Sequence, residues 1–281
     1  MKFERFEVTN IGDEFIFVSP NLDDLDLLSS DLFSYFFEEG RLYKYFQCLE
    51  ENSFFKPEKS NYAALYRNLS YFFDDDDEPI ANEKAGKTGE YFLSILLMEY
   101  FGFDCILPKL IYITDQDMPV YGIDTLFYSS YLDLFVFGEA KFTKNLHIGI
   151  ELINKSLSEY EKQFDDEFRF IVQNHGFSKS KNPNLQKYGK CSEEAINFKT
   201  FIKDSKITEI LIPLFICHGE ENDIPSIMKK MTFIEKQNRI SGLLVKYLVI
   251  SLPVTDKNEI LKRIKERLIE KQLEYETICT K

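Results

Sequence analysis

Hydrophobic and polar positions along this chain follow two periods, and the places where the period changes outline the elements. Two short alternating stretches near the start, "KFERFEV" and "EFIFV", have strand periodicity and are expected to pair. "NLDDLDLLSSDLFSYFFEE" then reads as helical. A long helix is predicted from about Asn82 to Phe101. Its second half, "YFLSILLMEYF", is apolar nearly all round and so belongs in a core, and Gly102 stands where a helix C-terminus favours glycine. Strands are predicted at "CILPKLIYIT", at "PVYGIDTLFY" and, after a polar turn around Ser129 and Ser130, at "LDLFVFGEAKF". A second helix is expected from about Ile148 to Phe164, with Ile148, Leu152, Leu157, Tyr160 and Phe164 near helical spacing. Two more apolar strands follow, "EILIPLFICH" and "KYLVISLPV". The last helix is predicted from Asp256 to about Glu274. Glu259 stands three residues after Asp256 as in a capping box, and Ile260, Leu261, Ile264 and Leu268 form a stripe expected to bury against the chain's own sheet, with a partner surface as the alternative.

From residue 82 the order is helix, three strands, helix, strand. Hairpin-length connections between the early strands and a helical crossover between the later ones imply an α/β fold with a mixed sheet flanked by helices. Residues 1–80 read as an appended N-terminal α+β region and 81–281 as the main domain. The run "DDDDE" (Asp74 to Glu78) before Pro79 reads as a solvated loop between them, with a protein-partner contact as the alternative.

Composition narrows the class. With 44% hydrophobic and 29% charged residues the chain is globular. It lacks both an eighteen-residue apolar stretch and a signal-peptide core, so a cytoplasmic protein with no membrane span is expected. Cys48, Cys105, Cys191, Cys217 and Cys279 have no CxxC spacing and read as reduced thiols; His147, His175 and His218 are too dispersed for a His-rich metal site. A net charge of −13 argues against a protein that coats nucleic acid by bulk attraction. It leaves room for a local basic cleft or for a partner that grips the nucleic acid. "SKSKNPNLQKYGK" carries Lys179, Lys181, Lys187 and Lys190 without an acid and reads as an exposed loop, either simply solvated or touching a DNA backbone or an acidic partner.

One apparent motif is set aside. "AGKTGE" holds Gly86, Lys87 and Thr88 like the tail of a phosphate-binding loop, but Ala81 stands where the pattern needs glycine, and no buried strand precedes it. The informative stretch is "VFGEAKF". Strand side chains alternate, so Glu139 and Lys141 share one face with Phe135 and Phe137, while Val136, Ala140 and Phe142 take the other. Charges among apolar neighbours are costly unless paired, metal-bound or employed. Asp124 in "GID" lies on the preceding strand, and Glu90 in "TGEYF" lies on the buried helix, on the face of Leu93, Ser94 and Leu97. A hairpin centred between Tyr131 and Leu132 would set Asp124 opposite Glu139; a tighter turn at Ser129-Ser130 would set Phe135 there instead.

Asp124 and Glu139 held close together repel, so one takes a proton unless a divalent cation neutralises both. Hard oxygen ligands suit Mg²⁺ or Mn²⁺, and the Ala140 carbonyl is a candidate third ligand. Such a metal polarises a phosphodiester and lowers the pKa of a bound water, while Lys141 can orient that water and stabilise the transition state. The plainer reading remains an ion pair between Glu139 and Lys141 on an ordinary sheet, with Asp124 in a turn.

The order helix-Glu, strand-Asp, strand-Glu-x-Lys, helix resembles the PD-(D/E)xK nuclease superfamily. "GEYF", "GID" and "GEAKF" together are similar to the HamA-type nuclease subunit of Hachiman anti-phage defence systems, over about residues 80 to 220. Ile123 stands where the superfamily often has proline before the aspartate. The resemblance implies a restriction-endonuclease-like core and a Mg²⁺- or Mn²⁺-dependent deoxyribonuclease. In it Asp124 and Glu139 are the metal-binding acids, Lys141 the catalytic lysine and Glu90 the helix carboxylate. It also implies a superfamily 2 helicase of the HamB type as the partner that binds DNA. A stand-alone restriction or repair endonuclease and a catalytically silent adaptor are the alternative functions.

Overall fold

Alternation along three neighbouring strands places apolar side chains on both faces of one sheet, and helices cover each face. The computed structural model describes residues 7–11, 14–18, 25–47, 59–71, 78–107, 123–129, 132, 134–173, 198–219, 223–254 and 256–279. Among them the strands are β1 (Glu7–Ile11), β2 (Glu14–Val18), β3 (Asp104–Leu107), β4 (Thr125–Ser129), β5 (Leu134–Asn145), β6 (Glu209–Gly219), β7 (Arg239–Ile240) and β8 (Leu243–Pro253). They form one mixed sheet in the order β1-β2-β8-β6-β5-β4-β3, with β7 on β8. The four strands β2, β8, β6 and β5 run parallel; β1, β4 and β7 are antiparallel to their neighbours, and β3 to β4.

The helices are α1 (Leu25–Phe36), α2 (Glu39–Gln47), α3 (Lys59–Tyr71), α4 (Glu78–Glu99), α5 (Leu146–Gln173), α6 (Phe198–Ser205), α7 (Ile224–Met231) and α8 (Lys257–Cys279). Along β5, Leu134, Val136, Ala140 and Phe142 face a core built with α1, α3, α4 and α8. Phe135 and Phe137 face a second core built with α5, α6 and α7. β6 and β8 divide in the same way, with Phe215 and Ile250 in the first core and Leu214 and Val249 in the second.

The pattern of elements read from the sequence holds, with instructive differences. Pro79 lies in the first turn of α4, where a missing N–H costs nothing, so the helix starts before the expected Asn82. α4 ends as expected at Gly102, whose φ of 68° lets the Phe103 N–H reach the Leu97 carbonyl at 2.9 Å. Residues 7–18, read from sequence as part of an appended region, extend the main sheet, because β2 lies parallel to β8 with Phe15 opposite Leu248. The stripe expected on the second helix is corrected: Ile148 and Leu152 are each 40% exposed. The buried face keeps the expected Leu157, Tyr160 and Phe164 and adds Leu146, Ile150, Ile153 and Phe168, at steps of three or four. The stripe of α8 buries against the chain itself, and Tyr275 stacks on Tyr66 of α3 with ring centroids 5.8 Å apart. Asp256 Oδ1 caps α8, accepting from the Asn258 and Glu259 amides at 3.0 and 3.1 Å. The Lys179–Lys190 loop, Asp74 to Asp77, all of "KLIYIT" and the "PVYG" that opens the next predicted strand lie outside the described residues.

Candidate active site

The β4–β5 ladder sets the geometry. Thr125 pairs with Gly138 and Leu126 with Phe137, the register in which the next opposed pair is Asp124 and Glu139. The tighter turn, with Phe135 opposite Asp124, is not adopted: Phe135 faces Tyr128. β4 ends at Thr125, whereas β5 runs on to Asn145, so beyond Gly138 one edge of β5 loses its strand neighbour. The Ala140 N–H, left without a strand carbonyl there, donates to Asp124 Oδ2 at 2.8 Å. A strand residue presents its N–H and C=O to the same edge, so the Ala140 carbonyl points to the side on which Asp124 sits.

Gly138 makes this approach possible. A Cβ there would collide with Thr125 Oγ1 and stand 2.9 Å from Leu93 Cδ2 of α4. Thr125 Oγ1 is itself buried without a hydrogen-bond partner among the described residues.

Glu139 is 3% exposed. Its Oε1 accepts from Lys141 Nζ in a short ion pair, and its Oε2 accepts from the Tyr160 hydroxyl of α5 at 3.2 Å. Burial, then the charge of Asp124, push the Glu139 carboxyl up to about 7, against the opposing pull of Lys141. Burial works against the Lys141 ammonium, but the charges of Asp124 and Glu139 more than offset it and hold its pKa above the usual lysine value. Burial and the carboxylates of Glu139 and Asp124 raise the Tyr160 phenol well above its usual value, so it stays neutral and donates.

Glu90 stands apart. α4 packs on the opposite face of β5, where a Cβ at Gly89 would lie 3.6 Å from Ala140 Cβ and Phe142 Cβ. Glu90 Oε1 accepts from Lys87 Nζ at 2.8 Å, one turn earlier on α4, and its charge is felt by Lys141. Lys87 and Thr88 therefore lie inside a helix, as expected of a motif that is no phosphate-binding loop. Among the described residues no three His, Cys, Asp or Glu side chains gather in a metal-binding group. The oxygen set at β5 is thus two carboxylates, Asp124 and Glu139, and the Ala140 carbonyl.

That set suits a small divalent cation. All the donors are hard oxygens, and burial and the charge of Asp124 make Glu139 costly to ionise, a cost that a dication relieves.

Two residues of this neighbourhood escaped sequence reasoning. Tyr160 was read only as part of an apolar stripe. Glu167, also on α5, is 2% exposed, and its Oε1 accepts the Ile123 N–H at 2.9 Å. The available signal was a carboxylate next to Phe164 and Phe168 on a buried helix face. Cys217 is a buried thiol, and burial raises its pKa. His218 is buried away from the acids, with Nε2 2.8 Å from Ser251 Oγ.

No helix among the described residues is long and apolar enough to cross a membrane. Neither the curated proteins nor the solved structures contain a match to the chain. The family model described as HamA matches residues 19–268, well beyond the stretch over which "GEYF", "GID" and "GEAKF" carry the resemblance. The chain belongs to the HamA family, and with it to the components of Hachiman anti-phage defence.

Proposed function

We propose that this protein is a metal-dependent deoxyribonuclease of the PD-(D/E)xK type that works in Hachiman defence with a helicase partner. The observation that carries the reading is the meeting of Asp124, Glu139 and Lys141 where β4 ends and β5 continues. Asp124, Glu139 and the Ala140 carbonyl would hold Mg²⁺ or Mn²⁺, which supplies Lewis-acid polarisation of the scissile phosphate and a more acidic water.

The chain's own groups do the rest. Asp124 is fixed by the Ala140 amide, and Glu139 by Lys141 and the Tyr160 hydroxyl. Lys141 keeps 22% of its side chain exposed, against 4% for Glu139, so it is the member of the pair that faces incoming substrate. Its ammonium orients the attacking water and stabilises the charge that builds on the phosphoryl oxygens as the new P–O bond forms and the old one breaks. The acidic net charge fits a division of labour in which the helicase brings the DNA.

The test is a nuclease assay on DNA with the helicase present, paired with calorimetric Mg²⁺ and Mn²⁺ titrations. Lys141→Ala should abolish cleavage and keep metal binding; Asp124→Ala and Glu139→Ala should lose both. Glu90→Ala should be milder, since Glu90 pairs with Lys87 on α4 and is felt at the site by its charge on Lys141. Full cleavage by the Lys141 or Glu139 variant would overturn the proposal, and a wild-type protein that neither cleaves nor binds metal would favour a silent adaptor.

A further inference from the structure

The site's second acid is held from a distance. Ile123 is fully buried and lies just before β4, beyond the last β4–β5 pair. In a continued ladder its opposite would be Ala140, but the Ala140 N–H is already taken by the Asp124 carboxylate. A buried amide without an acceptor is costly, and Glu167 Oε1 supplies that acceptor from α5, forty-four residues further along the chain. Glu167 is itself 2% exposed, and a buried carboxylate is costly unless it is bonded. It stands two helical turns after Tyr160, on the same side of α5. Tyr160 bonds Glu139 directly and feels the charges of Glu139, Asp124 and Glu167 together. One helix face therefore touches both strands that carry the acids.

We propose that Glu167 is a positioning residue: by holding the Ile123 amide it fixes the peptide that presents Asp124 to Glu139 and Ala140. The inference rests on the nuclease reading for its purpose, but its geometry is testable without metal. If Glu167 sets Asp124, its loss must be felt at the Ala140 N–H, which Glu167 does not touch and which Asp124 Oδ2 accepts.

The experiment is amide hydrogen exchange of the full chain at Ile123 and Ala140, followed by Mn²⁺ calorimetry, for Glu167→Leu, Glu167→Asp and Glu167→Gln. Leucine removes the acceptor, aspartate keeps the charge but falls one methylene short, and glutamine keeps an acceptor at the right reach. Leu and Asp should speed exchange at both amides on the order of tenfold. They should weaken Mn²⁺ binding by roughly 10- to 100-fold, with Gln restoring most of the protection and affinity. If Leu fails to fold, the order of Asp against Gln still decides. Ala140 protection at the wild-type level in the Asp variant, or a Gln variant as impaired as Asp, overturns the proposal. A wild-type protein that binds no Mn²⁺ sinks the nuclease reading instead, while the exchange data still judge Glu167.

Discussion

Replacing Glu139 by glutamine should make the metal-free protein more stable at alkaline pH, and the gain should vanish in acid. The folded Glu139 carboxyl titrates at about 7 because burial and Asp124 disfavour its charge, against 4.5 for an ordinary glutamate. With the folded pKa raised, the stabilising effect is fully present below 4.5 and is lost as pH rises through about 7. A difference of 2.5 between those two values corresponds to about 3 kcal/mol, of which roughly 2–3 kcal/mol falls between pH 5 and 8.5. In a protein of this size that is roughly 3–5 °C in Tm. Glutamine does not titrate, so Glu139→Gln removes this slope. It also deprives Lys141 of a partner, a loss that is constant over the range because the ammonium stays charged. The diagnostic is therefore how the difference between the two proteins changes with pH, read by thermal melts in chelator from pH 5 to 8.5. Mn²⁺ at pH 8 should then raise the wild-type Tm and leave the variant nearly unmoved. A Tm difference that stays flat with pH would show that Glu139 does not carry a disfavoured charge and would refute the reasoning.

Gly138→Ala should cost about 1–3 kcal/mol by overpacking, since the added methyl meets Thr125 Oγ1 and Leu93 Cδ2; a urea midpoint equal to wild type would contradict that packing. His218 should have the opposite pH signature to Glu139. Burial lowers its folded pKa to about 4 from 6.5, so its contribution is present above 6.5 and lost as pH falls toward 4. That amounts to about 3 kcal/mol, and in a Glu139→Gln background His218→Gln should flatten the acid limb of the stability curve.

The register that unites Asp124 and Glu139 was legible because a shared charge problem, added to strand alternation, leaves only one hairpin offset that solves it. The face of α5 was not legible from aliphatic spacing, since the first turns carry apolar residues on two sides. The better signal was Gly149: a Cβ there would stand 2.5 Å from Ile216 Cγ2, so that side must lie against β6. Docking of β2 beside β8 was out of reach, because period two fixes which side chains face inward and says nothing about a partner strand more than two hundred residues away. β7 hides for a similar reason. It is two residues long, and its turn rests on Ser241 and Gly242 at φ 48° and 85°.

An ordinary ion pair explains Glu139 and Lys141 poorly. A structural pair on a sheet needs one acid for one base, and well-packed apolar residues in its place are often as stable or more so. Here two acids face one lysine on a strand edge. The second acid, by its charge, makes the first harder to ionise. Tyr160 and Glu167 of α5 are committed to holding the acids where they repel, and Gly138 gives up a side chain to let the strands and α4 close around them. The buried charge of Glu139 is disfavoured in the metal-free fold, and the groups that hold it all converge on the same few atoms. Perturbed titration of this kind clusters at functional sites, which is what the nuclease reading draws on. Tyr160→Phe and Thr125→Val would each be expected to leave a scaffold indifferent or better packed; under the nuclease reading only the second should leave the site unharmed.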